Sequence, residues 1–356
     1  MDNKERNITP EEAVILWQAS RLDLSEDYEK APEILKVRGS VIGTLGNFSA
    51  SIGKAKSKKT FNVSAIVAAA LTNGIVLQYA AALPEDKRKI LYVDTEQSPY
   101  HCLKVARRIL RMAGLPTDRD NENLEFLALR KHTPEERIAI VEQAIYRTDN
   151  IGLVIIDGIR DMVYDINSPS EATCIISKLM QWTDERQIHI HTILHQNKAD
   201  ENARGHIGTE LNNKAETVLL VEKDEKDTDV STVRAAHIRA MDFDAFAFRI
   251  NEEALPELLD GYKFQKKEPG RPKKEKFDAY RDITEHQHRI ALEAAFTLKD
   301  EYGYQELAEA LKSAYASVGV PLSDNKVVSL ITTLKNKRMI VQENGKKYRF
   351  MPDFHY

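Results

Sequence analysis

The sequence has few of the residues that mark several common classes of protein. Its 356 residues include only two cysteines, Cys102 and Cys174, which are too few and too isolated for a disulfide framework or a zinc knuckle. No apolar run reaches the ~18 residues that a membrane span requires, and the opening MDNKERNITP has no apolar signal region. We therefore expect a cytoplasmic location and no membrane partner.

An excess of positive charge is also lacking. The formal net charge is −4, with 42% hydrophobic and 30% charged residues, a composition typical of globular proteins. A net negative chain is poorly suited to binding nucleic acid with its whole surface, so any DNA contact requires a local basic patch.

The chain is predicted to hold two domains and a linker. Residues 1–38 have helix-like apolar spacing in EEAVILWQAS and YEKAPEIL, which predicts a helical appendage and a candidate arm for a neighbouring subunit. Across 39–260, apolar strands alternate with helices, which predicts an α/β fold with a mainly parallel sheet and late hairpin strands at one edge. Residues 261–277 are rich in Lys and Pro and predict a linker. Residues 278–356 suggest three helices and a hairpin, a pattern that fits a winged helix-turn-helix.

A phosphate-binding loop is predicted where the strand NFSASI runs into a helix. Gly53, Lys59 and Thr60 match the pattern G-x-x-x-x-G-K-[ST], but Lys58 occupies the place of the second glycine. In such a loop, main-chain amides at a helix N-terminus surround the phosphates of a nucleotide. Lys59 would reach the β- and γ-phosphates, and Thr60 would hold Mg²⁺. The alternative is a basic surface loop that only resembles the motif. The predicted nucleotide-binding residues are Gly53, Lys54, Ala55, Lys56, Ser57, Lys58, Lys59, Thr60 and Phe61.

A carboxylate for the metal is predicted at the end of the strand LVIID. Asp157 follows four apolar residues there, the position from which a Walker B aspartate orients Mg²⁺. The alternating His189, His191 and His195 could also suggest a metal. They lack nearby carboxylate or cysteine ligands at suitable spacing, so we do not expect a second metal site.

In combination, these motifs resemble the RecA-like ATPases of the RepA and DnaB-type helicase group, particularly mobile-element versions with a Lys-rich phosphate loop. The resemblance covers roughly residues 40–250. It implies a RecA-like P-loop core that binds ATP and Mg²⁺ and acts on DNA as a homo-oligomer, with a hexamer as the candidate assembly.

The resemblance also implies roles for residues outside the loop. Glu96, after the strand KILYVD, would polarise the attacking water as a general base. Gln196, with His195 next in preference, would be the polar sensor that links the γ-phosphate to the DNA-binding loops. Arg239, with His237 at the preceding basic position, would be an arginine finger in the neighbouring subunit's site. A solvated loop glutamate and a structural salt bridge are the alternatives for Glu96 and Arg239. The predicted catalytic residues are Glu96, Lys59, Gln196 and Arg239.

Three segments are candidates for DNA contact. The loop after the sensor would line a central pore, and the linker sequence PGRP with its flanking lysines resembles an AT-hook, which inserts into a narrow A·T minor groove. The helix NKVVSLITTLKNKR and the following wing are basic and suit phosphate contacts. The predicted DNA-binding residues are Lys198, Arg204, Arg271, Lys273, Lys274, Lys335, Lys337 and Arg338. The alternatives are a solvent loop for the first segment, an ordinary tether for the linker, and a protein-protein module for the helix and wing.

Two function hypotheses follow. The first is an ATP-driven motor on single-stranded DNA, a ring helicase or translocase in the replication or mobilisation of a mobile element. The second is a DNA-binding regulator or loader in which ATP switches the oligomeric state without unwinding. A RecA-like kinase or signalling ATPase is a third interpretation, which the basic C-terminal part disfavours.

Overall fold

A computed structural model describes residues 8–196, 205–264, 277–343 and 347–354. Several predicted DNA contacts therefore lie outside the described residues, namely Lys198, Arg204, Arg271, Lys273 and Lys274. In the described part of the chain, no helix combines the length and the apolar character that crossing a membrane would require.

The chain divides into two compact units, Met1–Lys263 and Phe264–Tyr356. The first unit begins with helix α1 and a small sheet, whose elements are α1 (Pro10–Ala19), β1 (Glu33–Val37), β2 (Ser40–Thr44), β3 (Phe48–Gly53), α2 (Lys59–Thr72), β4 (Ile75–Val76) and β5 (Tyr79–Ala81). It continues with β6 (Lys89–Asp94), α3 (Pro99–Met112), β7 (Leu124–Ala128), α4 (Pro134–Arg147), β8 (Ile151–Asp157), α5 (Pro169–Arg186) and β9 (His189–His195). It ends with α6 (Gly205–Lys214), β10 (Thr217–Lys223), β11 (Val230–Ile238), β12 (Phe246–Ile250) and β13 (Pro256–Leu258). The finer domain boundaries predicted from the sequence stay predictions.

The main sheet of the first unit has nine strands in the order β13-β12-β11-β10-β3-β9-β8-β6-β7. From β10 to β7 each neighbouring pair is parallel, whereas β11, β12 and β13 add antiparallel strands at one edge. The predicted α/β class, with a mainly parallel sheet and late hairpin strands, is confirmed.

Both faces of this sheet are covered, which explains why its central strands are continuously apolar. All residues of β8 are buried. Ile155 packs into one hydrophobic core with residues of α2 and α3, and its neighbour Ile156 packs into a second core with residues of α5. Successive side chains of a strand point to opposite faces, so the sheet separates the two cores.

The segment before β2 differs from the prediction. The spacing of residues 28–35 suggests a helix, but Glu33–Val37 forms strand β1, which pairs with β2 and β5. Ile34 and Leu35 are fully buried in the core beside α2, and this tertiary contact overrides the local apolar spacing. Helix α1 does form, with a capping box at Thr9 and no buried side chain.

The second unit contains α7 (Glu285–Phe296), β14 (Glu301–Tyr302), α8 (Tyr304–Ser317), α9 (Asp324–Asn336), β15 (Ile340–Glu343) and β16 (Lys347–Phe350). Its antiparallel sheet has the order β14-β16-β15. The unit has a hydrophobic core of its own, formed by the apolar faces of the helices and by the sheet. The predicted helices and hairpin are therefore present in the described residues.

Candidate active site

The phosphate loop connects β3 to α2 at the carboxyl edge of the parallel strands, where ligands of such sheets bind. Gly53 is required by space, because a Cβ there would lie 2.2 Å from the Val221 carbonyl oxygen. Lys56 and Lys58 both have left-handed backbone conformations, with φ of 64° and 65°. In the described structure no side chain caps the first turn of α2, so its amides are available to an anion.

Lys59 lies buried at the start of α2, with 5% of its surface exposed. Its Nζ donates to the carbonyl oxygens of Gly53 at 2.9 Å and Lys54 at 3.0 Å, and lies 3.1 Å from His195 Nδ1. Burial lowers the pKa of Lys59 to about 8, although Asp157 and Glu96 oppose the shift. The loop offers the Lys59 ammonium only neutral carbonyl oxygens. A bound phosphate would add the negative charge that balances it.

Thr60 and Asp157 are brought together as the sequence predicts. Thr60 Oγ1 donates to Asp157 Oδ2 at 3.1 Å, and the Tyr92 hydroxyl donates to the same oxygen at 3.1 Å. Asp94 pairs with Asp157 across β6 and β8. Burial, followed by the charges of Asp94 and Glu96, raises the pKa of Asp157 to about 7. A divalent cation would relieve this concentration of negative charge.

The oxygen ligands of this cluster suit Mg²⁺, which usually takes one or two carboxylates together with substrate phosphates and water. Within the described ranges, no group of three or more His, Cys, Asp and Glu side chains is placed to hold a metal ion by itself. Thr60 and Asp157 therefore fit a metal ion that binds together with a nucleotide.

Glu96 lies beside this cluster in the turn after β6. Its Oε1 is 3.7 Å from His195 Nε2, and the interaction with His195 is the main reason that the pKa of Glu96 is lowered. Asp94 fixes the turn by accepting from the backbone amides of Glu96 at 3.0 Å and Gln97 at 2.7 Å. Glu96 is therefore held as a carboxylate, the form that a general base needs.

His195, rather than Gln196, faces this site. The pocket at the phosphate loop has a volume of about 400 Å³ and is lined by Ile193 and His195 of β9. Side chains alternate along a strand, so the Gln196 side chain points away, although the backbone N–H of Gln196 donates to the Gly53 carbonyl oxygen at 3.0 Å. His195 contacts both Lys59 and Glu96. From the sequence, His195 is the second candidate for the polar sensor, after Gln196.

Three residues near the loop were not found from the sequence. Tyr92 and Asp94 surround Asp157, and Arg108 of α3 stacks its guanidinium 3.6 Å from the centre of the Phe61 ring. Their positions depend on how α3 and β6 pack beside α2, and no local motif marks them. A larger cleft of about 590 Å³, between α3 and β7, contains none of the phosphate-loop residues.

Residues 18–201 match the family model described as AAA domain. The chain belongs to the AAA domain family. No curated protein matches the sequence. Among solved structures, the crystal structure of the RadB recombinase is similar, at 15% identity and a TM-score of 0.41, over 59% of this chain and 90% of that chain.

Membership of the AAA domain family confirms the coarser part of the interpretation, a P-loop ATPase. The helicase subgroup, the mobile-element context and the winged helix stay predictions.

Arg239 lies far from the phosphate loop of its own chain. It follows β11, whose last residue Ile238 pairs with Thr217 at the start of β10, and Thr217 pairs with Ser49 near the start of β3. The loop, by contrast, follows the end of β3 at Gly53. Arg239 is exposed, and its Nη2 donates to the Lys214 carbonyl at 3.0 Å. Any role in hydrolysis would have to be in another subunit.

The predicted DNA contacts of the second unit are exposed but make internal contacts. Lys335 Nζ donates to Gln342 Oε1 at 3.0 Å, and Lys337 Nζ lies 3.9 Å from the centre of the Tyr280 ring. Arg338 follows α9 with φ of 54°. A nucleic acid would therefore compete with neighbouring side chains for Lys335 and Lys337.

Proposed function

We propose that the protein binds ATP with Mg²⁺ at residues 53–61 and hydrolyses it to act on DNA as a cytoplasmic homo-oligomer, with a helicase or translocase as the leading form. One observation carries the ATPase part. The convergence of Lys59, the Thr60 and Asp157 pair, and Glu96 with His195 on one pocket provides a partner for each charged part of the reaction.

Each of these side chains would have a separate role in the reaction. Lys59 would exchange the carbonyl oxygens of the loop for the β- and γ-phosphates. Mg²⁺, when bound, would neutralise charge on the phosphates, with Thr60 and Asp157 to hold and orient it. Glu96 would accept the proton of the attacking water. His195 connects Glu96 to Lys59, and we propose it, together with Gln196, for the sensor function.

Two features support an oligomer made of copies of this chain. Arg239 lies at the edge of the sheet opposite its own loop, which suits an arginine finger that acts in the next subunit. Helix α1 has no buried side chain, and Ile15 and Trp17 are 64% and 62% exposed. We propose that this helix packs on the neighbouring copy, where its apolar side chains would leave water, and that the assembly is a ring, with a hexamer as the candidate.

For DNA, we propose that the second unit is a winged helix, with α9 as the recognition helix and β15–β16 as the wing. The order of helices and strands and the exposed Lys335, Lys337 and Arg338 support this proposal. On the wing, Glu301 lies 3.4 Å from Lys347 and 3.6 Å from Arg349, which leaves α9 as the more basic surface. Lys198 and Arg204 for a pore, and Arg271, Lys273 and Lys274 for duplex, complete the proposed contacts.

A second candidate function is an ATP-switched DNA-binding regulator or loader without unwinding. The compact second unit, which has its own core, favours it, because a separate module can bind duplex without a motor.

The two functions are separated by assaying the full chain for ATP hydrolysis with and without single-stranded DNA, and for unwinding of a tailed duplex. A motor requires hydrolysis stimulated by DNA together with unwinding. Hydrolysis without unwinding would support the regulator, and the absence of any ATP binding would overturn both. A Lys59→Ala preparation controls for contaminating ATPases.

A further inference from the structure

Lys58 has the backbone conformation that glycine normally provides in a phosphate loop. Its φ and ψ are 65° and 29°, and the left-handed region is energetically costly for a residue that has a Cβ. Glycine adopts this conformation without that cost. A lysine side chain at this position can make contacts that glycine cannot.

The Lys58 side chain makes such contacts through its ammonium group, with carbonyl oxygens that lie outside the phosphate loop. Lys58 Nζ donates to the carbonyl oxygen of Asp229 at 2.5 Å and to that of Thr228 at 3.3 Å. Both acceptors lie in the turn between β10 and β11. The side chain of Lys58 therefore joins the phosphate loop to a second element.

The turn that receives Lys58 is itself held by hydrogen bonds. Asp224 Oδ1 accepts from the backbone amides of Lys226 at 2.8 Å and Asp227 at 2.7 Å. Asp227 Oδ1 accepts from the amide of Asp229 at 3.0 Å, and the Tyr262 hydroxyl donates to Asp224. None of these turn residues lines the pocket at the phosphate loop, and the hydrogen bonds of Lys58 connect them to it.

We propose that Lys58 is a positioning residue that ties the phosphate loop to the turn at 224–229 and thereby holds the loop amides in place for the phosphates. The inference rests on the proposed nucleotide site. A loop already held in its binding conformation loses less conformational freedom when the ligand arrives. The hydrogen bonds of Lys58 thus restrain a loop that would be more flexible with glycine at the same position.

The decisive variant is Lys58→Gly, which restores the glycine of the motif. The tether predicts that this variant binds a fluorescent ATP analogue about tenfold more weakly, since a hydrogen bond from a charged donor is lost. Lys58→Arg should retain most of the affinity because a guanidinium can donate to the same carbonyls. Lys58→Met should resemble Lys58→Gly. Because Glu96 and Lys59 are untouched, KM for ATP should rise while kcat stays within about threefold.

Lys56→Gly provides a matched control for charge and conformation. Lys56 is exposed, has φ of 64° and makes no side-chain hydrogen bond with a described residue. Both glycine variants remove one positive charge and one left-handed lysine from the same loop, so the difference between their affinities measures the tether. Equal affinities for the two variants would overturn the proposal, as would tighter binding by Lys58→Gly than by the wild type.

A second test disturbs the other end of the tether. Asp224→Ala should loosen the turn and weaken ATP binding, and combining it with Lys58→Met should add little, because both changes remove the same connection. Fully additive effects would overturn the inference. If the wild type binds no ATP, the proposed nucleotide site fails together with the tether. If it binds ATP and Lys59→Ala does not, while the Lys58 variants match the wild type, only the tether fails.

Discussion

The buried polar groups near the two ends of the neighbouring strands β3 and β9 differ in how well they are paired within the protein. At the carboxyl end, Lys59 and Asp157 have pKa values shifted towards their neutral forms, mainly by burial. At the amino end, Thr44 is bound through its amide and hydroxyl to Glu216, and two buried histidines are fully hydrogen-bonded. The difference indicates that the first end is arranged for a charged ligand and the second for stability.

The histidines of the amino end form a continuous series of hydrogen bonds inside the sheet. Ser49 Oγ lies 2.7 Å from His189 Nε2 and 2.7 Å from His191 Nδ1. The other ring nitrogens lie 2.8 Å from the Thr44 carbonyl oxygen and 2.8 Å from Ser51 Oγ. Burial lowers the pKa of His191 to about 3, so its ring is neutral at pH 7. Each ring nitrogen of the two histidines therefore has a hydrogen-bond partner, as buried polar atoms require.

The largest expected effect of a single change is at the carboxyl end. Lys59→Ala should reduce ATP hydrolysis to background, because the phosphates lose a preorganised cation in both the bound state and the transition state. The melting temperature without nucleotide should change little, since burial disfavours the charge of Lys59. Steady-state hydrolysis and thermal unfolding of the same preparation check both statements, and wild-type activity in this variant would remove the loop from the active site.

The next effect tests whether the amino end serves a neighbouring subunit. Arg239→Ala should lower kcat by about 10³-fold while leaving ATP binding intact, because an arginine finger acts on the transition state of the next site. Mixing it with Glu96→Ala protein should restore part of the activity. Arg249→Ala removes another exposed arginine of the same sheet and serves as the control. Loss of ATP binding in Arg239→Ala, or no rescue on mixing, would contradict a shared site.

A smaller effect should distinguish stability from catalysis at the amino end. Ser49→Ala leaves His189 and His191 without their common partner, which should lower the free energy of unfolding by about 2–4 kcal/mol. Turnover per folded molecule should be unchanged. Ser231→Ala is the control, because Ser231 is buried and its hydroxyl makes no hydrogen bond with the described residues. Urea unfolding measures both variants, and equal stabilities would show that the histidine series contributes nothing.

The smallest effect concerns pH. The pKa of Asp157 is raised to about 7, so the free protein holds a proton there at lower pH. Mg²⁺ requires the carboxylate, and its affinity in the presence of ATP should therefore fall as the pH drops below about 7, by up to about tenfold per pH unit. Titrations of Mg²⁺ at pH 6 and pH 8 measure the change. An affinity independent of pH would contradict the prediction, because it would mean either that Asp157 is ionised throughout or that it does not bind the metal.

Much of the fold and part of the site follow from local sequence. The continuous apolar run of β8 predicted a strand buried on both faces. Thr133 and Ser168 cap the starts of α4 and α5, and each is followed by proline, which is a local signal for the start of a helix. The order of strand, loop and helix also placed Lys59, Thr60 and Asp157 at one edge of the sheet. Glu33–Val37 was misjudged, since its strand depends on a distant partner, β5.

The sequence by itself determined the alternation of strands and helices and the residues that meet at the ends of parallel strands, because both depend on neighbours along the chain. Only the tertiary structure decided that His195 lines the pocket, that Arg108 reaches Phe61, and that Lys58 bonds to the turn at Thr228 and Asp229. Those contacts join residues far apart in sequence, and side-chain direction and helix packing fix them only once the whole sheet has formed.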